Sequence, residues 1–449
     1  SNVAIQNATR ESYLEHLKKL KEDIEKKTGK STEQLYKEKR KRLWDAIELK
    51  QPDKVPVVLG STYFPAKYAG IPYSSAYYDP LTWKVAYTQM MSDFSPDTWG
   101  TAGASSGAVL DILKAKNVLW PGGTLPPDVP QQNVDDEYMK EDEYDLFIED
   151  TTDFTLRRYL PRTYGALEPL ANLSNLAGRG AGLAALTPLF TTPEFQEVGK
   201  ALQKAGEEQK KFREIMGNLT NEMETLGFPP MSGAVAGGAG GGAGGPVFDQ
   251  LANSYRGWTG IITDMYRRPE KLITALEKLN RKQMDGATPA DNTVPGPKLG
   301  GGGAIHRGSD RFLSKKQWEK FYWPTWKESM MKSIELGYTV SIFAEGFCEE
   351  RFEYFLELPK GKVMIRFTDT DMFKAKEALG DHFCLMGAVP LTLLQTASPS
   401  EVDEYCKKLI QVCGKGGGYI LRTDTDYIQE AKVENVKAMM DSVEKYGWY

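Results

Sequence analysis

The sequence predicts an α/β fold built on a parallel sheet, and three observations predict it. The last third alternates short apolar strands with helical segments four times over. Each strand ends in polar or glycine residues before the next helix begins. The 449 residues, with 41% hydrophobic content, suffice for one large barrel with insertions or for two domains. Strands alternating with helices imply right-handed βαβ units. If such units close into a barrel, chemistry sits on the loops that follow the strands. That rule singles out Glu345, Arg366, Asp369, Asp371, Arg422 and Asp424.

From the N-terminus, residues 12–50 are charged and helical, with Leu14, Leu17, Leu20 and Ile24 on one face. Residues 1–52 are therefore expected to form a helical arm outside the barrel, and residues 53–449 the barrel. Residues 55–59 are the first candidate strand, and 63–70 the loop after it. In 79–94, Asp79 caps a helix, Pro80 takes its first turn, and Trp83, Tyr87 and Met90 form a face. Residues 120–132 are a Pro- and Gly-rich loop. The acidic stretch 135–145 reads as a solvated loop and helix start, without the pattern of a calcium-binding loop. Residues 192–227 are helical. The Gly/Ala run 231–246 is either a linker or a substrate-covering loop, and lacks the Lys-Ser/Thr of a phosphate loop. Residues 261–266 and 269–284 are helices broken at Pro269. A second glycine cluster, 300–303, delivers His306 and Arg307. Strands then follow at 340–343, 363–367, 383–386 and 419–421, with helices at 351–358, 372–379, 401–412 and 433–446.

Composition narrows the function classes. Charged residues make up 26% and the net charge is -5, so there is no basic excess for nucleic acid or for an anionic membrane. No apolar run is long enough to span a bilayer. The chain starts Ser-Asn without Met, the pattern of a tag remnant, which leaves a processed leader open. The cysteines Cys348, Cys384, Cys406 and Cys413 form no CxxC pair and read as reduced packing residues of a cytoplasmic protein.

Several segments, in order, carry a family resemblance. They are Arg42-Leu-Trp-Asp-Ala-Ile-Glu-Leu-Lys-Gln-Pro-Asp-Lys-Val-Pro56, Phe248-Asp-Gln-Leu-Ala-Asn-Ser-Tyr-Arg-Gly257, Met265-Tyr-Arg-Arg-Pro-Glu-Lys-Leu272, Phe373-Lys-Ala-Lys-Glu-Ala-Leu-Gly-Asp381 and Gly387-Ala-Val-Pro390. From about Lys39 onward the chain resembles the uroporphyrinogen decarboxylase superfamily. The resemblance implies a (β/α)8 TIM barrel, often dimeric, with its cleft at the C-terminal ends of the strands. It also implies one of two chemistries: decarboxylation of uroporphyrinogen, or methyl transfer involving corrinoid proteins.

The decarboxylases carry a Met-Arg-Gln-Ala-Gly-Arg-Tyr motif whose arginines bind substrate carboxylates. The matching loop here, residues 60–70, has no arginine and only Lys67 as a cation. The thiol-directed methyltransferases hold zinc with His-x-Cys and a later Cys. Those positions align with Phe343-Ala-Glu345 and with Asp424–Thr425, so the zinc ligands are gone or replaced.

The resemblance therefore leans to the corrinoid-linked methyltransferase branch. It implies a small methylated donor, such as a methoxylated compound, and a corrinoid (cobalamin) on a partner protein. His306, Glu345 and Asp371 are the catalytic candidates. His306 and Glu345 are also metal candidates, with zinc the first choice. Arg307, Arg366, Asp369, Arg422, Tyr255 and Phe248 are candidates for substrate binding. For each, a structural role stays open: His306 as a packing or surface residue, Glu345 in a salt bridge to Arg366 or Arg422, Asp371 as a helix cap. Two other functions stay open as well, a carboxy-lyase for a tetrapyrrole or small acid and a non-catalytic binding barrel.

Overall fold

Seven parallel strands can be followed round a barrel in the computed structural model, which describes residues 7–100, 103, 105–176, 181–231 and 241–449. β1 (Val58–Leu59) pairs with β2 (Thr98–Trp99). β3 (Leu299–Ile305), β4 (Thr339–Ala344), β5 (Val363–Phe367), β6 (Cys384–Met386) and β7 (Tyr419–Ile420) pair in sequence order. A parallel bridge between Val57 and Leu421 joins β1 to β7, so the order round the barrel is β2-β1-β7-β6-β5-β4-β3. The chain on either side of residues 232–240 occupies the place between β3 and β2. There Thr98 donates to the Pro229 carbonyl at 2.7 Å, and Gly245 packs on Gly303. The fold is the TIM barrel that the sequence predicts.

Alternation along the strands separates lumen from outer wall. Met364, Cys384, Met386, Ile420 and Val58 cluster inside the barrel, while Val363, Ile365, Phe367, Leu385 and Tyr419 pack with the surrounding helices. Val58, Met364 and Cys384 lie at the N-terminal ends of their strands, toward the floor, and Met386 and Ile420 are the last residues of theirs.

The N-terminal arm closes that floor. Residues 12–50 form two helices, α1 (Arg10–Thr28) and α2 (Thr32–Ile47), separated at Gly29, which caps α1 at φ 67°. Ala46 and Ile47 of α2 are buried in the lumen-floor cluster. Arg42 donates to Asp97 at 2.5 Å and to both oxygens of Asp53 at 2.7 and 2.8 Å. Asp97 in turn accepts from the Val57 amide at 2.8 Å. The arm is thus pinned against β1 and β2 by a buried guanidinium.

Two local expectations change. Residues 63–70 hold a helix, Phe64–Ala69, because Pro65 suits a first turn and Gly70 adopts the left-handed cap at φ 71°. The glycine cluster at 300–303 is the strand β3. Glycine is poor in strands, which hides it from pattern reading. Its place in the barrel explains the residue type: a β-carbon on Gly302 would sit 2.2 Å from the Ser341 carbonyl oxygen, at φ 88°. Gly302→Ala is expected to lower stability by about 1–3 kcal/mol in denaturant unfolding, the range for a residue held in a disfavoured conformation.

Candidate functional site

Three strands deliver polar residues to the C-terminal mouth of the barrel. β3 ends at Ile305 and is followed by His306 and Arg307; β4 is followed by Glu345; β5 is followed by Thr368 and Asp369. His306, Arg307, Glu345 and Asp369 line one cavity of about 610 Å³. Its facing wall includes Asn117, Asn133, Asp135, Tyr138, Tyr159 and Asn253.

At its centre, Nδ1 of His306 donates to Oε2 of Glu345 at 2.5 Å. The two side chains are 45% and 48% exposed, so the pair is open to a ligand, and Glu345 is not the deeply buried carboxylate its apolar strand suggested. The hydrogen bond to Glu345 raises the His306 pKa, outweighing the partial burial that opposes it. The imidazole is thereby favoured as the cation. Nε2 has no protein partner among the described residues and is left for a ligand.

A residue that sequence reasoning passed over holds this arrangement. Asp249, in the helix Val247–Leu251, is 3% exposed. It accepts from the backbone amides of His306 and Arg307, both at 2.8 Å, and from the Tyr322 hydroxyl at 2.5 Å. Burial pushes its pKa up, and the donors work against that shift. Asp249 thus anchors the turn carrying His306. The Phe248-Asp motif contained it, but only the fold brings it under residue 306.

The other expected residues fall in different places. Arg307 stacks over Trp258, 4.7 Å from the ring centre, and lines the cavity. Asp371 is exposed and caps the helix Met372–Leu379 by accepting from the Phe373 and Lys374 amides at 2.8 and 3.2 Å. Its expected role as a supporting carboxylate is corrected, and Asp369 is the carboxylate that reaches the cavity. Phe248 is fully buried against Tyr322, with ring centres 5.5 Å apart, and has no face for a substrate. Tyr255 is turned into an aromatic cluster with Phe147 and Tyr159, at 5.1 and 5.0 Å. Phe248 belongs to the core because its helix packs inward, and Tyr255 to the scaffold behind the cavity wall.

Arg366 and Arg422 sit deeper in the lumen and share Asp426, at 3.0 and 2.8 Å. Burial, then the charge of Arg422, bring the Arg366 pKa down to about 10. Burial alone would raise the Asp426 pKa, but the two guanidiniums outweigh it and hold the carboxyl below its usual range. Asp424 accepts from the Leu391 amide at 3.0 Å. Asp426 was not among the expected site residues.

The donor set was tested for a metal. Among the described residues, no three His, Cys, Asp or Glu side chains are grouped to share an ion. His306 and Glu345 provide two donors, one fewer than the three protein ligands of a catalytic zinc site. These residues do not fit the expected zinc. The four thiols are buried, and burial pushes the Cys348 pKa up, so this thiol near Glu345 is no ready nucleophile.

Comparisons with known proteins agree with this architecture. Residues 303–446 match the family model described as uroporphyrinogen decarboxylase (URO-D). Among solved structures, a methyltransferase from Methanosarcina mazei is similar, with a TM-score of 0.52 and 11% identity over 91% of this chain and 98% of that one. At that identity the likeness is one of fold. No curated protein is significantly similar in sequence. The match over residues 303–446 covers β4 to β7 and the mouth residues, so the likeness to the uroporphyrinogen decarboxylase family lies in that part of the chain.

Proposed function

We propose that the protein is a methyltransferase that takes a methyl group from a small methoxylated compound and passes it to a corrinoid carried by a partner protein. The observation that carries this reading is the His306–Glu345 pair, half-exposed at the mouth of the barrel with the imidazole favoured as the cation. Cleaving a methyl–oxygen bond leaves charge on oxygen, and a positioned acid stabilises it. His306 fits that task, since Glu345 holds Nδ1 and leaves Nε2 to protonate the leaving oxygen. Asp249 fixes the His306 backbone, and Glu345 stabilises the imidazolium before it gives up its proton.

The reduced corrinoid supplies the nucleophile for the methyl group when the partner is docked. The mouth suits such a partner because the cavity opens outward beside His306 and its wall is polar. The fold shared with the methyltransferase from Methanosarcina mazei supports the reading at the level of architecture. The test is a spectrophotometric assay with reduced cobalamin and a panel of methoxylated aromatic compounds. Methylation of the cobalamin that depends on the protein supports the reading; its absence across the panel, with a corrinoid-loaded partner also supplied, would reject it.

The alternative carboxy-lyase reading makes an opposite forecast. Lys67, the single cation of the loop 60–70, points to Glu430 at 3.1 Å on the surface. The purified protein is expected to form no coproporphyrinogen from uroporphyrinogen. Accumulation of that product in a direct assay would favour the lyase.

A further inference from the structure

Below the His306–Glu345 pair, the barrel lumen holds a second cavity of about 510 Å³. Trp99, Phe343, Met364 and Met386 give it apolar walls. Arg366, Arg422 and Asp426 form its polar side. The geometry points to a carboxylate-binding site here, which seats an aromatic-sized acid with its carboxylate on Arg366 and Arg422 and its far end toward His306.

The charge balance is the first argument. A purely structural ion cluster deep in a barrel would be expected to balance its charges and satisfy its donors. This cavity is lined by two guanidiniums and one carboxylate. Asp424 contributes to the field at Arg366, but it is committed to the Leu391 amide and is not part of the cavity wall. Among the described residues, the buried Nε atoms of Arg366 and Arg422 have no partner, and Arg366 is 8% exposed. A bound carboxylate would supply both the missing charge and the missing acceptor.

Shape is the second argument. Arg366 lies 4.6 Å from the centre of the Phe343 ring and is held against it. Arg422 and Asp426 are fixed by the glycines around them. A β-carbon on Gly60 would overlap the Asp426 carboxylate, and one on Gly100 would come within 3.2 Å of Arg422 Nη2. Two small residues therefore make room for a charged group at the ends of β1 and β2. The apolar walls suit a flat ring.

Register is the third argument. Phe343 pairs with Arg366 across β4 and β5. Glu345 follows Phe343 by two residues, just past the end of β4, where its amide donates to the Phe343 carbonyl at 3.2 Å. A single ring bearing a carboxylate at one end and a methoxy group at the other would reach from the level of Arg366 toward that turn. The inference thus rests on the methyl-transfer reading for the choice of the far group. The carboxylate site itself stands on the lumen geometry alone.

Calorimetric titration of the protein with benzoate, without any corrinoid, tests it. Saturable binding at one site is expected, with benzamide and inorganic phosphate each bound at least tenfold more weakly. Arg422→Met should weaken benzoate at least tenfold, Arg422→Lys should restore part of the loss, and Lys67→Met on the surface should leave it unchanged. No binding at millimolar benzoate would overturn the site, as would equal binding of benzamide, equal binding by Arg422→Met, or tighter binding of phosphate. Benzoate bound without methyl transfer to cobalamin from any methoxylated donor would reject the functional reading and keep the site. Turnover of a neutral methoxy compound with no benzoate binding would do the reverse.

Discussion

His306→Asn is expected to reduce methyl transfer by about 10²–10⁴-fold, the usual contribution of a positioned general acid. The substitution keeps a polar side chain at the mouth, and the His306 backbone amide that Asp249 accepts from is unchanged. Stability should therefore change little. The wild-type rate should also depend on pH with a definite sign. Glu345 raises the His306 pKa above its ordinary value. The acid is then fully loaded below about pH 6.5, the ordinary histidine value, and is lost as pH rises through the higher folded value. The stabilisation from the pair follows the same course, since the unfolded histidine has the lower pKa. Rate against pH for wild type and Glu345→Gln checks this: the alkaline limb should move to lower pH in the variant.

Asp249→Ala is the substitution expected to cost most in stability. It strands the His306 and Arg307 amides and the Tyr322 hydroxyl, all of which donate to that carboxylate. Each buried unsatisfied group costs about 1–3 kcal/mol, so a loss of about 3 kcal/mol or more is expected in urea unfolding. Activity should fall further than stability accounts for, because the turn carrying His306 loses its anchor. Asp249→Asn, which keeps one acceptor, should fall between. A variant as stable and active as the wild type would mean that the carboxylate does not position the histidine.

The parts of the fold that were readable from sequence are those where local pattern and tertiary role agree. Residues 363–367 are buried on both sides and read as a continuous apolar strand apart from Arg366, and β5 spans the same residues. The helix at 80–94 was marked by Asp79 and Pro80, and Asp79 does accept from the Thr82 amide, at 3.2 Å. β3 was hidden because its glycines are there for the neighbouring chain, in particular the Ser341 carbonyl beside Gly302, and not for strand propensity. α2 reads as part of an outer arm because its Lys and Arg run dominates the pattern, while Ala46 and Ile47, at its end, enter the barrel floor.

The same contrast holds at the site. His306 and Glu345 could be picked out because each follows a strand or glycine run, and strand ends share one mouth in a barrel. Asp369 and Asp371 both follow the next strand, and of the two readings open for Asp371, carboxylate of the site or helix cap, its position two residues before Phe373 commits it to capping. Asp249 and Asp426 could not be found by spacing. Their partners, His306 and Arg366, are 57 and 60 residues away, and only the closed barrel sets each carboxylate against its donors.

The most direct test of the account is the effect of Glu345→Gln on methylation of reduced cobalamin by a methoxylated donor. Absorbance should be followed across pH with wild type and variant matched in folded fraction. The variant is expected to lose a growing share of the wild-type rate as pH rises, because Glu345 no longer raises the His306 pKa, and to recover part of it in acid. Equal rates for the two proteins at every pH would contradict it, because the His306–Glu345 pair would then have no part in the proton transfer.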